Sequence, residues 1–429
     1  MTDLHALPPA AGLSYARAMP GMSSGLSAAD RGWPRCRPRT PRFAGGLLGL
    51  VVIGACTLSA CGGTSSARTN PNPAAIRISL ATSVESSAGS WAVAPMGHLD
   101  QPLNTFWQLF FRPAGAELWS DRASALAVAT NGGLAISSNG RSLAVGIRPT
   151  NLLDYSPLIA TSNARTWSAA GPIGPLADHP DALALSATGG ALALVGAGGG
   201  DQVLASPGAL SGWRTLVTSH QLAGSKAGHT CGVTSITAVG YLGSDELVGA
   251  ACRRAGVVGI FLERQGGWRL VGPGVPAPLA ASRAEVLGMQ STTAGLCSLA
   301  RLTGRRSTDL VTACASGSAT HWRLAPAFAV TGPDNVLSLG PAGGSGMFAL
   351  ISGAGSVERL EALDVVDMRW TRLPSPPKGT TTVAFGPSGS VDALAAGVTV
   401  CAVWRLAAGA SHWERTQQIQ VAIQFGSSG

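Results

Sequence analysis

The stretch Met96–Pro113 (MGHLDQPLNTFWQLFFRP) holds the densest mixture of polar and aromatic groups in the chain: the imidazole of His98, the carboxylate of Asp100, the amide of Asn104, the indole of Trp107 and the guanidinium of Arg112. An indole gives a flat apolar platform with one donor, and a guanidinium forks onto carboxylates and phosphates. His98, Trp107 and Arg112 are therefore the candidate ligand-binding residues, on a loop crossing the mouth of the domain. The plainer alternative is an irregular first repeat in which Trp107 and its aromatic neighbours are core.

Other candidates resolve into turns. Asp178-His179-Pro180-Asp181 offers one imidazole and two carboxylates, too few for zinc, which needs further ligands at defined spacing. Gly343-Gly344-Ser345-Gly346 is turn chemistry and not a nucleophile elbow, because no helix pattern follows it. Gly198-Gly199-Gly200-Asp201 fails as a phosphate loop for the same reason. No catalytic residue, metal site or cofactor is expected, and the chain reads as a non-enzyme.

The elements that must position these groups are strands. Charged residues make up only 12% of the chain and Gly numbers 57, a composition suited to short strands and tight turns. Ala182–Ser186 leads through Gly189-Gly190 into Ala191–Val195; Leu134–Ile136 through Asn139-Gly140 into Ser142–Val145; Val336–Leu339 through Gly343-Gly344 into Met347–Ile351. Both faces of these runs are apolar, as in strands covered on both sides. No helical period of any length follows residue 75.

A tryptophan marks each repeat of this grammar. Trp119, Trp167, Trp213, Trp268, Trp322, Trp370 and Trp413 recur at spacings of 48, 46, 55, 54, 48 and 43 residues, with Trp91, Trp107 and Trp404 outside the series. A period of roughly 40–50 residues with four strands per unit is the sequence pattern of propeller blades. The expected fold is all-β: a single β-propeller of about seven blades, with six or eight as alternatives. Gln417–Phe425 is expected to pair with Ile76–Leu80 and close the ring.

The first sixty residues read differently. Arg31, Arg35, Arg37, Arg39 and Arg42 precede an apolar core, Phe43–Ala55, and then Leu58-Ser59-Ala60-Cys61. Positive charge, a short apolar run and small residues in that order make a secretory signal. The core is shorter than the roughly 20 residues a spanning helix needs. Leu58–Cys61 resembles the bacterial lipobox, which implies a diacylglycerol on the Cys61 thiol and cleavage after Ala60. Met19 and Met22 are alternative starts, Met22 leaving a leader of ordinary length. An uncleaved anchor and an ordinary secreted protein are the competing readings. The expected organisation is a signal peptide over 1–60, a lipidated flexible tether over 61–75 and the propeller over 76–429, at the extracytoplasmic face of a membrane.

Export leaves Cys231, Cys252, Cys297, Cys314 and Cys401 in an oxidising compartment. Cys297 and Cys314 are centred on a turn between Arg305 and Arg306; Cys231 and Cys252 flank one at Gly243-Ser244. Both pairs are expected as local disulfides, leaving Cys401 as a buried free thiol. The chain carries a net charge of +8, about half of it in the leader, and no dense basic run, which argues against nucleic-acid binding.

Thr161-Ser162-Asn163-Ala164-Arg165-Thr166-Trp167 resembles the Asp-box, or BNR repeat, of sialidase-like propellers. Thr166 and Trp167 match, while Asn163 and Ala164 stand in place of the acid and the glycine. The resemblance implies a structural turn. Sialidase chemistry would need three arginines, a Tyr–Glu pair and an Asp acid. Phe111-Arg112-Pro113 and Arg148-Pro149 are only fragments of an arginine motif, and Tyr241 with Asp245 and Glu246 reads as a hairpin end. The leading expectation is a membrane-anchored, non-catalytic binding or scaffold lipoprotein engaging an envelope protein or a glycan; the alternative is a glycan-directed hydrolase.

Overall fold

Asn139 shows how the chain makes its hairpins. Its Oδ1 accepts hydrogen bonds from Arg141 N at 3.1 Å and Ser142 N at 2.9 Å, while Gly140 takes φ 83°. A short amide side chain and a residue free to enter the left-handed region are what such a turn requires. The flanking runs alternate sides of the sheet and are buried on both, so register is fixed by packing as well as by the turn.

The computed structural model describes residues 82–98, 105–122, 134–147, 158–169, 180–197, 200–292, 295–330, 335–343, 346–352 and 359–421. They belong to one contact unit, Arg68–Gly429. The leader, Cys61, the tether and the expected boundary at residue 76 lie outside the described residues.

Successive antiparallel meanders make up this unit. The first sheet contains β1 (Ser83–Ser86), β2 (Gly89–Gly97), β3 (Thr105–Pro113) and β4 (Ser120–Asp121). The next contains β5 (Leu134–Ser138), β6 (Leu143–Ile147), β7 (Leu158–Thr161) and β8 (Ser168–Ala169). A third contains β9 (Ala182–Leu185), β10 (Ala191–Ala197), β11 (Gly200–Ser206) and β12 (Arg214–Thr218). A nine-stranded sheet joins two meanders edge to edge. One is β13 (Val233–Leu242), β14 (Asp245–Ala255), β15 (Gly259–Arg264) and β16 (Gly267–Leu270). The other is β17 (Arg283–Thr292), β18 (Gly295–Thr303), β19 (Thr308–Ala315) and β20 (Trp322–Leu324), with β21 (Phe328–Val330) also on β19. Two four-stranded sheets complete the order: β22 (Asn335–Pro341), β23 (Gly346–Ser352), β24 (Arg359–Asp364) and β25 (Arg369–Leu373), then β26 (Thr380–Phe385), β27 (Val391–Ala396), β28 (Val400–Leu406) and β29 (Glu414–Gln420).

Each meander is apolar on both faces because each face has a partner. Trp91, Val93, Leu109 and Phe111 pack on Leu134, Ile136, Leu143 and Val145 of β5–β6. The opposite face of the same strands, Ala92, Ala94, Met96 and Phe110, packs on Leu394, Cys401 and Val403 of β27–β28. The remaining clusters join β5–β8 to β9–β12, β9–β12 to β13–β16, β13–β16 to β17–β20, β17–β21 to β22–β25, and β22–β25 to β26–β29. The sheets therefore follow one another around a ring and the last packs on the first.

The seven tryptophans of the series stand within one residue of the start of an outer strand: β4, β8, β12, β16, β20, β25 and β29 in turn. Each enters a different apolar cluster, against the preceding sheet. At Trp167 the preceding turn is held by Asn163, whose Oδ1 accepts from Arg165 N and Thr166 N, both at 2.9 Å, while Ala164 sits at φ 60°.

Two features depart from the sequence reading, and the expected pairing of Gln417–Phe425 with Ile76–Leu80 falls largely outside the described residues. Residues 219–231 form two short helices, α1 (Ser219–Gly224) and α2 (Lys226–Cys231). Thr218 and Gln221 make a capping box on α1, but fewer than two turns cannot show a hydrophobic period. Cys231 bonds to Cys252 as expected of a local pair, yet it stands on α2 and so ties that helix to β14. Finally, β29 ends at Gln420 and pairs with β28 among the described residues. Residues 422–425 and 76–80 lie outside them, and the described ring closure is made by side chains together with a backbone hydrogen bond from Gly97 N to Gly397 O at 3.1 Å.

Candidate functional site at the ring seam

The cleft between the last sheet and the first buries a charged network. Asp392 stands second in β27, between Val391 and Ala393, and is 0% exposed. Gly386 makes room for it: a Cβ there would lie 3.0 Å from Asp392 Oδ1 and 2.3 Å from Ser390 Oγ. Desolvating a carboxylate costs several kcal/mol unless charge and hydrogen bonds compensate it. Here Arg405 Nε donates to Oδ1 at 2.8 Å, Trp119 Nε1 donates to Oδ2 at 2.8 Å, and Arg112 Nε approaches to 3.7 Å.

Arg112 crosses the seam. It donates to Ala116 O at 3.0 Å, Ser90 Oγ at 2.8 Å and Phe385 O at 2.9 Å, and its guanidinium lies 5.5 Å from the Trp119 ring centre. Burial lowers its pKa, and Asp392 pulls the other way. Arg405 is also lowered by burial, but its hydrogen bond to Asp392 leaves it raised overall. The outer end of the network is Glu117, which meets Arg405 through its carboxylate and, at 2.8 Å, through its backbone carbonyl. The inner end is Glu85 on β1, whose pKa is raised by burial against the lowering pull of Arg112 and a Ser90 hydrogen bond. Asp392 and Arg112 are enclosed, so they fasten sheets together; Glu85 and Arg405 are half-buried, and burial pushes the Glu85 carboxyl above the usual carboxylate range.

The expected ligand residues do not converge. Trp107 is 3% exposed and belongs to the core with Trp91 and Leu109, so it is no open platform. Arg112 projects from the other face of β3, toward β27. His98 is exposed, just beyond the end of β2 and at the opposite end of the hairpin from Arg112. Asp100, Asn104, Arg148, Tyr155, Asp178 and His179 lie outside the described residues. Tyr241 faces Glu246 across the β13–β14 hairpin and is buried, which pushes its pKa up. The second disulfide joins the directly opposed Cys297 and Cys314 of β18 and β19, and Cys401 is a buried free thiol. Asp392, Arg405, Glu117 and Glu85 were missed from sequence. The available signal was a lone carboxylate inside the apolar run Val391–Leu394.

No family model matches the chain, and no curated protein matches it. Solved structures do. A periplasmic gluconolactonase of Pseudomonas aeruginosa is 15% identical with a TM-score of 0.49, over 77% of this chain and 96% of that one. A protein from Lactobacillus plantarum is 10% identical with a TM-score of 0.48, over 77% and 96%. An oligogalacturonate lyase in complex with manganese is 8% identical with a TM-score of 0.45, over 73% and 92%.

The fold is a β-propeller. The expectation of a non-enzyme is withdrawn here; the names gluconolactonase and lyase belong to those similar structures and are not carried to this chain. The want of a familiar catalytic motif is no ground for excluding catalysis on this architecture.

Proposed function

We propose that this chain is a seven-bladed propeller, held by a lipidated Cys61 at the extracytoplasmic face of a bacterial membrane, that recognises a component of the cell envelope. The observation that carries the blade count is the placement of the seven tryptophans, each opening an outer strand and each entering its own inter-blade cluster. The two meanders of the nine-stranded sheet are then two blades whose long strands meet. The side-chain cap by Asn163 supports the likeness of that turn to an Asp-box. The anchor rests on the order of basic, apolar and small residues ending in Leu58-Ser59-Ala60-Cys61. Metabolic labelling with a fatty acid tests it: wild type should take up label and Cys61→Ala should not, while label kept by the variant removes the anchor.

A second reading is favoured by Glu85. A half-buried carboxyl with a raised pKa, beside an arginine and a serine, has the character of a general acid in glycan cleavage. Under that reading the propeller turns over an envelope glycan, and Glu85→Gln should abolish product on a glycoside panel while leaving the fold intact. Turnover by Glu85→Gln at the wild-type rate would remove it.

A further inference from the structure

The register of the nine-stranded sheet gathers arginines that are far apart in sequence. Ala255 of β14 pairs with Arg283 of β17, and Arg283 pairs with Thr303 of β18. Arg253 and Arg254 therefore end one strand beside the start of the next at Arg283, and the β18–β19 turn adds Arg305 and Arg306. Contacts tie these ends together: Gly256 N donates to Ser282 O at 3.0 Å, and a Cβ on Gly304 would lie 3.1 Å from Ser282 Oγ. All five arginines are exposed, and their guanidinium groups have no ion-pair or hydrogen-bond partner among the described residues. Of the nearby acids, Glu285 is taken by Arg301 at 3.6 Å, and Asp309 accepts from Ser307 Oγ at 3.0 Å. The patch spans three inter-strand spacings, roughly 14 Å. Like charges held on neighbouring strand ends repel, so an external anion is the natural complement.

The direction of β1 says which way this patch faces. The turns that follow the inner strands lie along one rim: Ser87 N donates to Gly140 O at 2.7 Å and Asn139 Nδ2 to Ser186 O at 3.1 Å. The same line continues through Gly190 beside Tyr241 and Gly240 beside Met289. β1 therefore starts on the opposite rim, and that is the rim where β14 and β18 end and β17 and β19 begin. β1, the first described strand, thus starts on the rim that carries the arginines. Twenty residues lie between Cys61 and Thr82, a stretch that can span at most about 75 Å.

We infer that the Arg253–Arg254–Arg283–Arg305–Arg306 patch docks the propeller on the phosphates of an anionic lipid surface, the membrane to which Cys61 is proposed to be attached. This rests on the proposed anchor for its biological setting but not for its chemistry. The test uses the full chain carrying Cys61→Ser, with vesicles of phosphatidylglycerol and of phosphatidylcholine. Because the leader, with its own arginines, is the same in parent and variant, the change in lipid preference between them reports the patch. Binding should favour phosphatidylglycerol, weaken with salt, and fall about a hundredfold when Arg253, Arg254, Arg305 and Arg306 are all changed to Gln. A circular-dichroism melt matching that of the parent shows that the variant is folded; if it is not, the pairs R253Q/R254Q and R305Q/R306Q are used, each expected to lose about tenfold. Equal binding to both lipids, or a preference undiminished in the folded variant, overturns the proposal. So does tighter binding to a nucleic acid than to phosphatidylglycerol. Failure of fatty-acid labelling would remove the anchor while leaving this result standing.

Discussion

Asp392 is the residue on which the seam turns. Its carboxylate is fully enclosed and answers two arginines and an indole, so removing its charge leaves the buried Arg112 hydrogen-bonded to neutral acceptors alone and Arg405 with only the exposed Glu117 as counter-charge. Asp392→Asn should lower stability by about 3–5 kcal/mol in urea unfolding; a loss under about 1 kcal/mol would mean the pair is not desolvated. Glu85 should behave in the opposite sense. A carboxyl whose pKa is raised in the folded chain costs stability above that pKa, and the cost disappears as pH falls through it toward the unfolded value. Glu85→Gln should therefore raise the urea midpoint at neutral pH and change it little near about pH 4. Cys401 is a third case: burial, with a smaller push from Asp121, raises its thiol pKa to about 12. It should resist alkylation in the native protein at neutral pH and react once the chain is unfolded. None of the seam was legible as a unit, because Trp119 and Asp392 are separated by 273 residues and nothing local links them.

At the scale of elements, what could be read was whatever repeats. Apolar runs of strand length, turn residues between them and an indole at the head of each outer strand recur, so period and strand type emerge from one chain. What could not be read was whatever occurs once. The pair of six-residue helices has no periodicity to show, and the register that joins β14 to β17 depends on two hairpins meeting in space. Turn chemistry offers a simple check. Gln265 is exposed and sits at φ 53° in the β15–β16 turn, where a side chain is strained and glycine is not. Gln265→Gly should stabilise by about 1 kcal/mol, read as a shift in denaturation midpoint without a change in slope. The Cys297–Cys314 bridge joins opposed strands across 17 residues, and its removal as a paired Ser variant should cost about 3 kcal/mol.

At the scale of the whole molecule, the ring is the central claim. Each sheet depends on two neighbours, and in the described residues the first and last meet through the apolar cluster of Ala92, Met96, Phe110 and Trp119 with Leu394, Val403 and Ile419, the charged network beside it, and hydrogen bonds that include a backbone one from Gly97 N to Gly397 O. Closure of this kind makes residues at the two ends of the chain energetically dependent on each other. A double-mutant cycle on Trp119→Phe and Asp392→Ala, measured by urea unfolding, tests that dependence directly. A coupling of about 1–3 kcal/mol is the outcome expected of a closed ring. Effects that simply add, to within about 0.5 kcal/mol, would contradict it.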